Sequence, residues 1–216
     1  MNVAAPPTKD RILDSAETLF GLNGFDTISL RDITTHAGVN LAAVNYHFQS
    51  KESLIAAVIG RRVEPINRQR LEMLAAAGQN PSVEQIVEAF IRPVLELQLG
   101  PIMPLVGRVL AEPRVRESLF RSHLSAIAQV FREAFGRALP EMPQVEVLWR
   151  QQFVVGTMTH LLCWGPSLPS FTDGLCHLED REAVIERAVI FLAAGFRAAL
   201  PSSTSKPAWH AGEGIQ

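Results

Sequence analysis

A stretch near the N-terminus, residues 29–51, concentrates side chains that could contact another macromolecule. Its sequence is SLRDITTHAGVNLAAVNYHFQSK, and it contains Tyr46, the only tyrosine of the chain. Apolar residues recur at helical spacing on both sides of Gly38, which predicts two short helices about a tight turn. The second helix begins with small residues, Ala42 and Ala43, and ends in polar and aromatic ones. This arrangement suits close approach to a groove.

Residue types that cap helices precede each helix expected in and after this stretch. Ser29 is followed three residues later by Asp32, which resembles a capping box built with the shorter acid. Asn40 and Ser50 are placed to cap the next two helices. We therefore expect one helix to begin directly after each of these three capping residues.

The composition is that of a globular protein without a basic surface. Of the 216 residues, 47% are hydrophobic and 19% are charged, and the net charge is -2; the pI is near 6.3. Residues 1–60 carry four Lys or Arg against six Asp or Glu, so that 4 - 6 = -2. Any contact with a nucleic acid must therefore be local and shaped.

Cysteine usage and the lack of long apolar runs favour an intracellular location. Cys163 and Cys176 cannot build a disulfide framework, and they fit a reducing compartment. The N-terminus, MNVAAPPTKDR, has no apolar core of signal-peptide length, and the sequence has no run of about 18 apolar residues. We expect a soluble, cytoplasmic protein with no membrane partner.

The rest of the chain has a helical pattern. The fourth predicted helix is interrupted by Gly60 and Pro65, where we expect a kink or a break and the junction between two domains. Helical spacing continues over residues 82–139 and in two later long segments, near 145–164 and 180–200. No segment alternates strictly between apolar and polar residues, so the predicted fold class is all-α, with about nine helices.

The first quarter of the chain resembles the N-terminal domain of TetR-family transcriptional repressors. The resemblance lies in residues 12–58, ILDSAETLFGLNGFDTISLRDITTHAGVNLAAVNYHFQSKESLIAAV, which match without a gap. It implies an all-α homodimer whose third helix enters the major groove of an operator with two-fold symmetry. The domains expected on this basis are a disordered arm at 1–7, a helix-turn-helix DNA-binding domain at 8–60, a ligand-binding and dimerisation domain at 61–200 and a disordered tail at 201–216.

The resemblance also assigns two kinds of DNA contact. In similar proteins the tyrosine hydroxyl at the end of the third helix bonds a phosphate, and we carry that role to Tyr46. Residues expected at phosphates are Ser29, Thr34, Asn45, Tyr46 and Lys51. Residues expected at base edges or thymine methyl groups are Asn40, Leu41, Ala42, Ala43 and His47. Many relatives have a more basic arm and an aromatic residue at position 45, so non-specific affinity should be modest and the base preference stays open.

Later segments resemble a subgroup whose best-known members sense fatty acids or acyl thioesters. FIRPVLEL and MPLVGRVLAE carry this weaker resemblance, which implies a pocket for a small hydrophobic effector among the middle helices. A drug-responsive regulator of efflux genes is the alternative within the family. Side chains that could line the pocket, or equally form plain core, are Met103, Phe120, His123, Phe131, Phe153, Met158 and Trp164.

The last two long helices are apolar over more than one face. In a protein of this size that pattern favours a self-association seam as well as an internal core. We predict a homodimer joined by a four-helix bundle. Its expected interface residues are Trp149, Phe153, Gly156, His160, Ile185, Val189, Phe191, Leu192 and Phe196.

No sequence feature favours an enzyme, a cofactor or a metal site. Walker, GxSxG, HExxH and dinucleotide motifs are absent from the sequence. His160, Cys163, Cys176 and His177 are metal-ligand types, but their spacing is poor and packing explains them more simply. The alternative from another class is a helical interaction protein that has lost DNA binding, which the acidic balance of the first 60 residues keeps open.

Overall fold

The computed structural model describes residues 6–96 and 112–200, and all regular structure within these ranges is helical. The helices are α1 Thr8–Asn23, α2 Leu30–Ala37, α3 Leu41–Phe48, α4 Lys51–Ala76, α5 Val83–Glu96, α6 Pro113–Leu119, α7 Ser125–Ala138, α8 Gln144–Trp164, α9 Leu168–Phe171 and α10 Arg181–Arg197. A π-helical turn, Phe120–Leu124, joins α6 to α7. The predicted all-α fold is confirmed. Met103, most of the predicted arm and the whole predicted tail lie outside the described residues.

The helix starts predicted from capping residues are confirmed. The side chains of Ser29, Asn40 and Ser50 each accept a hydrogen bond from the backbone N–H three residues later, at 3.2, 2.8 and 3.0 Å. Each cap satisfies one of the N–H groups that a helix N-terminus leaves without a partner. These local bonds explain why the short helices α2 and α3 begin where the sequence predicts.

The N-terminal hydrophobic core is built by α1 to α4 together with α6. Its fully buried side chains include Ile12, Ile33, Val44 and Leu54, one from each of the first four helices. α6 adds Val115 and Leu119 to the same cluster, although it follows α5 in the chain. The first domain is therefore closed by a helix from the second half of the protein.

The C-terminal hydrophobic core lies between α5, α7, α8 and α10. The rings of Phe135 and Phe196 stack with centroids 4.0 Å apart, and Phe90 meets Phe131 edge to face at 5.0 Å. Ile185, Val189, Leu192 and Phe196 had been predicted at the dimer interface, and the structure corrects that prediction. They are buried inside this core because they form the face of α10 that packs towards α5.

Two arginines, the buried Arg150 on α8 and the partly buried Arg92 on α5, bind the two ends of α10. Arg150 on α8 donates from Nη1 to the carbonyl oxygens of Gly195, Phe196 and Ala198, at 2.8 to 2.9 Å. These carbonyls lie at the C-terminus of α10, where a helix supplies few N–H partners; the Gly195 oxygen also accepts from the backbone N–H of Ala198. Arg92 on α5 binds the carboxylate of Glu182 at the other end of α10, and that carboxylate raises the pKa of Arg92.

α4 is continuous, so of the two outcomes predicted at Gly60 and Pro65, a kink or a break, the break is wrong. The helix runs from Lys51 to Ala76 with Pro65 inside it. Gly60 is buried, and the imidazole of His123 lies where a Cβ atom at position 60 would be. The glycine therefore makes room for the π-helical turn. Since one helix passes through both cores, the predicted boundary at residues 60 and 61 falls inside a helix.

Candidate nucleic-acid interface

α2 begins with a reciprocal capping box. The backbone N–H and the hydroxyl of Ser29 both donate to Oδ2 of Asp32, at 2.8 and 2.7 Å, and Ser29 Oγ accepts from the N–H of Asp32. These bonds from Ser29 lower the pKa of the Asp32 carboxyl. The start of α2 is thus fixed by contacts within four residues.

The turn between α2 and α3 needs glycine and is held from α1. Gly38 has φ +63°, a left-handed conformation that glycine adopts without strain. Arg11 Nη2 donates to the carbonyl oxygens of Ala37 and Gly38, at 2.6 and 3.0 Å. In the sequence, Arg11 stands out only as one of the basic residues of the N-terminal domain. Its role depends on a contact across 26 residues, which no local pattern announces.

α3 buries one face and presents the other to solvent. Val44 and Phe48 are buried in the N-terminal core, whereas Leu41, Ala42 and Asn45 are exposed. Tyr46 is 83% exposed, and its ring meets His47 edge to face at 5.0 Å between centroids. The exposed face offers small residues at the N-terminal end and hydrogen-bonding groups at the C-terminal end.

Most of the residues predicted to contact DNA lie at accessible positions. Ser29 and Asn40 are exposed, but both use a side-chain oxygen as a cap. Ala43, His47 and Lys51 are half-buried. The prediction for Thr34 is wrong. Its side chain is 7% exposed, and its hydroxyl donates to the carbonyl oxygen of Arg31 because position 34 faces the core of the domain.

Two arginines of α4 offset the acidic balance of the N-terminal domain. Arg61 Nη1 lies 2.7 Å from Oδ1 of Asp14, and Arg62 pairs with Glu17. Counting residues 1–62 in place of 1–60 gives six basic and six acidic side chains, so 6 - 6 = 0. Arginines of α4 therefore neutralise acidic residues of α1. The net charge of -2 counted over residues 1–60 does not describe the charge near the surface of α3.

Two family profiles match this chain over both parts of the fold. Residues 12–58 match the profile described as bacterial regulatory proteins, tetR family. Residues 88–195 match the profile described as the tetracyclin repressor-like C-terminal domain. The chain belongs to the TetR family. The proteins of this family are transcriptional regulators, which are not enzymes.

Individual TetR-family relatives agree with this assignment. The chain is 28% identical over 144 residues to the HTH-type transcriptional regulator UidR of Escherichia coli K12, an alignment that covers 62% of this chain and 69% of UidR. It is similar in fold to Salmonella enterica GusR, with a TM-score of 0.59, 22% identity and coverage of 90% of this chain and 96% of that one. The fatty acid degradation regulator FadR of Bacillus halodurans has a TM-score of 0.60, 16% identity and coverage of 91% and 100%.

The residues predicted to line an effector pocket lie at separate places in the C-terminal domain. Phe120, Phe153 and Trp164 are exposed, and Phe131 is fully buried in the core. Met158 is half-buried beside Arg70. His123 is half-buried, with Nδ1 3.5 Å from Oε1 of Glu64. The described residues thus do not bring the predicted set together in one pocket.

The remaining predicted dimer residues of this TetR-family chain form an uncovered surface. On α8, Trp149, Phe153, Gly156 and His160 are exposed, and the rings of Trp149 and Phe153 stack at 6.2 Å. On α10, Phe191 is 73% exposed. We refer to the exposed residues of α8 and α10, Trp149, Phe153, Gly156, His160, Ile190 and Phe191, as the apolar stripe.

The described residues of this TetR-family protein contain neither a candidate membrane span nor a candidate metal cluster. None of the helices there has the length and apolar character needed to span a bilayer. Over the same ranges, no three His, Cys, Asp or Glu side chains are grouped so that they could hold a metal ion.

Proposed function

We propose that this TetR-family regulator is a repressor that binds a two-fold symmetric DNA operator as a homodimer and is released by a small hydrophobic effector. The observation that carries the proposal is the exposed face of α3. It presents Ala42 at its start and Tyr46 near its end, while Val44 and Phe48 anchor the helix in the core. A helix held in this way, with small residues in front, can enter a major groove.

The proposed contacts divide by chemistry. Exposed or partly exposed hydroxyl, amide and ammonium groups suit phosphate oxygens, and they fix the position of α3 without reading sequence. These residues are Ser29, Asn45, Tyr46 and Lys51. Residues proposed to read base edges or methyl groups are Asn40, Leu41, Ala42, Ala43 and His47. Thr34 is no longer among them, since its side chain is buried.

Dimerisation is proposed through the apolar stripe. The rings of Trp149 and Phe153 stack on α8, and Phe191 lies exposed on the neighbouring helix α10. Large exposed apolar side chains that lie together often mark protein contacts. A two-fold axis would place the same stripe of each protomer against the other. Two copies of α3 would then face two half-sites of an operator.

The effector is proposed to be small and hydrophobic, with fatty acyl compounds as the first class and drug-like molecules as the second. The first class is supported by the sequence segments FIRPVLEL and MPLVGRVLAE. Native mass spectrometry of protein purified from its own host separates the two classes. A co-purifying fatty acid or acyl thioester supports the acyl class, whereas a bound aromatic cation would support the efflux reading.

Substitution of Tyr46 by Phe tests the DNA proposal directly. DNase I footprinting on the DNA upstream of the gene should give one protected two-fold symmetric site. Fluorescence anisotropy should show that Tyr46→Phe weakens binding to that site by roughly threefold to tenfold, the worth of one hydrogen bond. All sequence variants of the site should lose affinity equally, because a phosphate contact carries no sequence information.

A matched control is Thr18→Val, which removes an exposed hydroxyl of α1 that donates to the carbonyl oxygen of Asp14. This variant should bind DNA as the wild type does. A change of base preference in Tyr46→Phe without loss of affinity would contradict the phosphate role. If no upstream fragment is protected, the alternative of a helical interaction protein without DNA binding is favoured.

A further inference from the structure

Arg70 places a guanidinium inside the C-terminal domain. The residue lies on α4 and is 4% exposed. Nε donates to the carbonyl oxygen of Phe90 at 2.8 Å, and Nη1 donates to Oδ1 of Asn67 at 3.1 Å. Nη2 lies 3.3 Å from the Sδ atom of Met158 on α8. The guanidinium therefore reaches α5 and α8 at once.

The charge of Arg70 has no carboxylate partner in the described part of the chain. No Asp or Glu side chain there comes within 4.0 Å of its nitrogen atoms, and residues 97–111 contain neither Asp nor Glu. Burial lowers the pKa of Arg70 to about 10. Arg150, also buried, differs in this respect, because Glu146 lies 3.7 Å from its Nε atom. A buried cation without an anion is costly to a fold.

The contacts of Arg70 leave strong donors for a better acceptor. A guanidinium has five N–H groups, and within residues 6–96 and 112–200 two of those on Arg70 meet an oxygen. The thioether of Met158 is a weak acceptor and a flexible side chain that moves at little cost. Charge-assisted hydrogen bonds from guanidinium to carboxylate are about twice as strong as neutral ones. A carboxylate is therefore the acceptor that best matches the guanidinium N–H groups of Arg70 on the side of Met158.

The surroundings of the guanidinium are aromatic and aliphatic. The Phe90 ring lies below it, with Cζ 4.1 Å from the ring centroid, and Phe90 in turn meets Phe131. A ligand bound here would place its anionic group against Arg70 and the rest of its body among apolar side chains. The acceptable ligand would thus combine one carboxylate with an apolar body.

We infer that Arg70 is the recognition residue for the carboxylate of an amphipathic anionic effector, and that Met158 moves aside to admit it. This inference rests on the effector response proposed above and narrows its chemistry from a small hydrophobic molecule to an organic acid. Asn67 orients the guanidinium for the carboxylate, while its own Nδ2 donates to the carbonyl oxygen of His123 at 2.8 Å.

Thermal unfolding with and without a model acid tests the role of Arg70. The probes are decanoate and its uncharged counterpart 1-decanol, added to the full chain below their micelle or solubility limits. Decanoate at a hundredfold excess over its Kd should raise the Tm of the wild type by about 5 °C. Arg70→Met should lose that rise. Without ligand, the Tm of Arg70→Met should equal or exceed that of the wild type, because an apolar side chain replaces an uncompensated charge.

Matched variants separate recognition from folding. Arg68→Met changes an exposed arginine of the same helix and should leave both responses as in the wild type. Arg70→Lys keeps the positive charge but removes the planar guanidinium, which can bind a carboxylate with two parallel hydrogen bonds. It should retain preference for decanoate over decanol, reduced at least threefold, and it serves if Arg70→Met fails to fold.

Four outcomes would overturn the inference. These are the absence of a decanoate shift in the wild type, an equal shift in Arg70→Met, an unchanged preference in Arg70→Lys and a Tm of folded Arg70→Met well below that of the wild type. In each case the footprint of the Tyr46 experiment still decides DNA binding, so the two proposals fail separately. A decanoate shift in a protein that protects no DNA would keep the Arg70 site and reject the repressor.

Discussion

The N-terminal and C-terminal cores treat their charged groups in different ways. Around the first core, charges lie at the surface in short-range pairs, as between Arg61 and Asp14 at 2.7 Å. Inside the second core, Arg150 is buried and binds backbone carbonyls, whereas the buried Arg70 binds one backbone carbonyl, the amide oxygen of Asn67 and the sulfur of Met158. Exposed pairs contribute little to stability, whereas the loss of a buried partner is costly. The stability of the C-terminal domain is therefore expected to depend on the hydrogen bonds of Arg150, while the proposed role of Arg70 is in binding.

The exposed surfaces of the two regions also differ in polarity, and here the N-terminal region is the more polar one. α3 presents small and hydrogen-bonding residues, which fit a hydrated and charged partner such as the proposed operator. The apolar stripe presents Trp149, Phe153 and Phe191, which fit a dry protein surface. This contrast suggests that the two proposed partners, DNA and a second copy, use separate faces of the chain.

Besides α4, which passes through both cores, a short segment also connects them. α6 contributes Val115 and Leu119 to the N-terminal core, and Leu124, at the end of the π-helical turn, packs against both cores. π-Helical turns are rare and often lie at functional sites. An effector bound in the second core would thus have a packed route to the first.

The largest effect that sharpens this comparison is expected from Arg150→Met. The substitution removes the hydrogen bonds to three buried or partly buried carbonyls at the end of α10. The Gly195 oxygen keeps the backbone N–H of Ala198, but the oxygens of Phe196 and Ala198 lose the Arg150 donor. We expect unfolding free energy to fall by about 3 kcal/mol and Tm to fall by roughly 6 to 12 °C. Calorimetry checks this. Arg137→Met, an exposed arginine on α7, is the control and should change Tm little. Equal small losses in both variants would show that burial does not distinguish the C-terminal arginines.

An effect of intermediate size is expected at the apolar stripe from Phe191→Glu. A carboxylate buried in a dimer seam would lack a partner, so the dimer Kd should rise by about 30-fold or more while the protomer stays folded. Analytical ultracentrifugation over a dilution series measures the change. Leu22→Glu places the same charge at an exposed apolar residue of α1, outside the stripe, and should leave the dimer intact. A dimer unaffected by Phe191→Glu would move the interface to another surface.

Sequence reasoning succeeded where structure is determined locally. Ser29, Asn40 and Gly38 act through bonds and backbone angles within a few residues, so the positions of α2 and α3 could be predicted from pattern alone. The family could be predicted from residues 12–58, and the all-α fold class from the helical spacing along the whole chain. Contacts between distant segments could not be predicted in this way, because helical spacing does not name the partner of an apolar face.

α10 illustrates that limit. Its sequence is apolar on several sides, and spacing alone assigned Ile185, Val189, Phe191 and Leu192 together to a dimer seam. The structure divides them, since three face the internal core and only Phe191 is exposed. The same reason hid the continuity of α4, whose glycine at position 60 accommodates a side chain from the π-helical turn.

The smallest effect is expected in the N-terminal region from Gly38→Ala. At φ +63° an L side chain is strained by about 1 to 2 kcal/mol, and its Cβ would lie 3.0 Å from Nη2 of Arg11. Tm should fall by roughly 2 to 8 °C. Because Arg11 holds the turn that sets the angle between α2 and α3, DNA affinity should fall by more than the loss of stability explains. Anisotropy at a temperature where the variant stays folded measures this.

Gly21→Ala provides the control, since Gly21 lies within α1 and a Cβ there would meet nothing within 4 Å. This variant should match or slightly exceed the wild type in stability, because alanine favours a helix, and it should bind DNA normally. If Gly38→Ala lost stability but kept full DNA affinity, the turn would only support the fold. DNA binding by the N-terminal domain would then not depend on the exact geometry of the turn between α2 and α3. Loss of affinity beyond the loss of stability would instead assign the precision of the N-terminal domain to the Arg11-held turn.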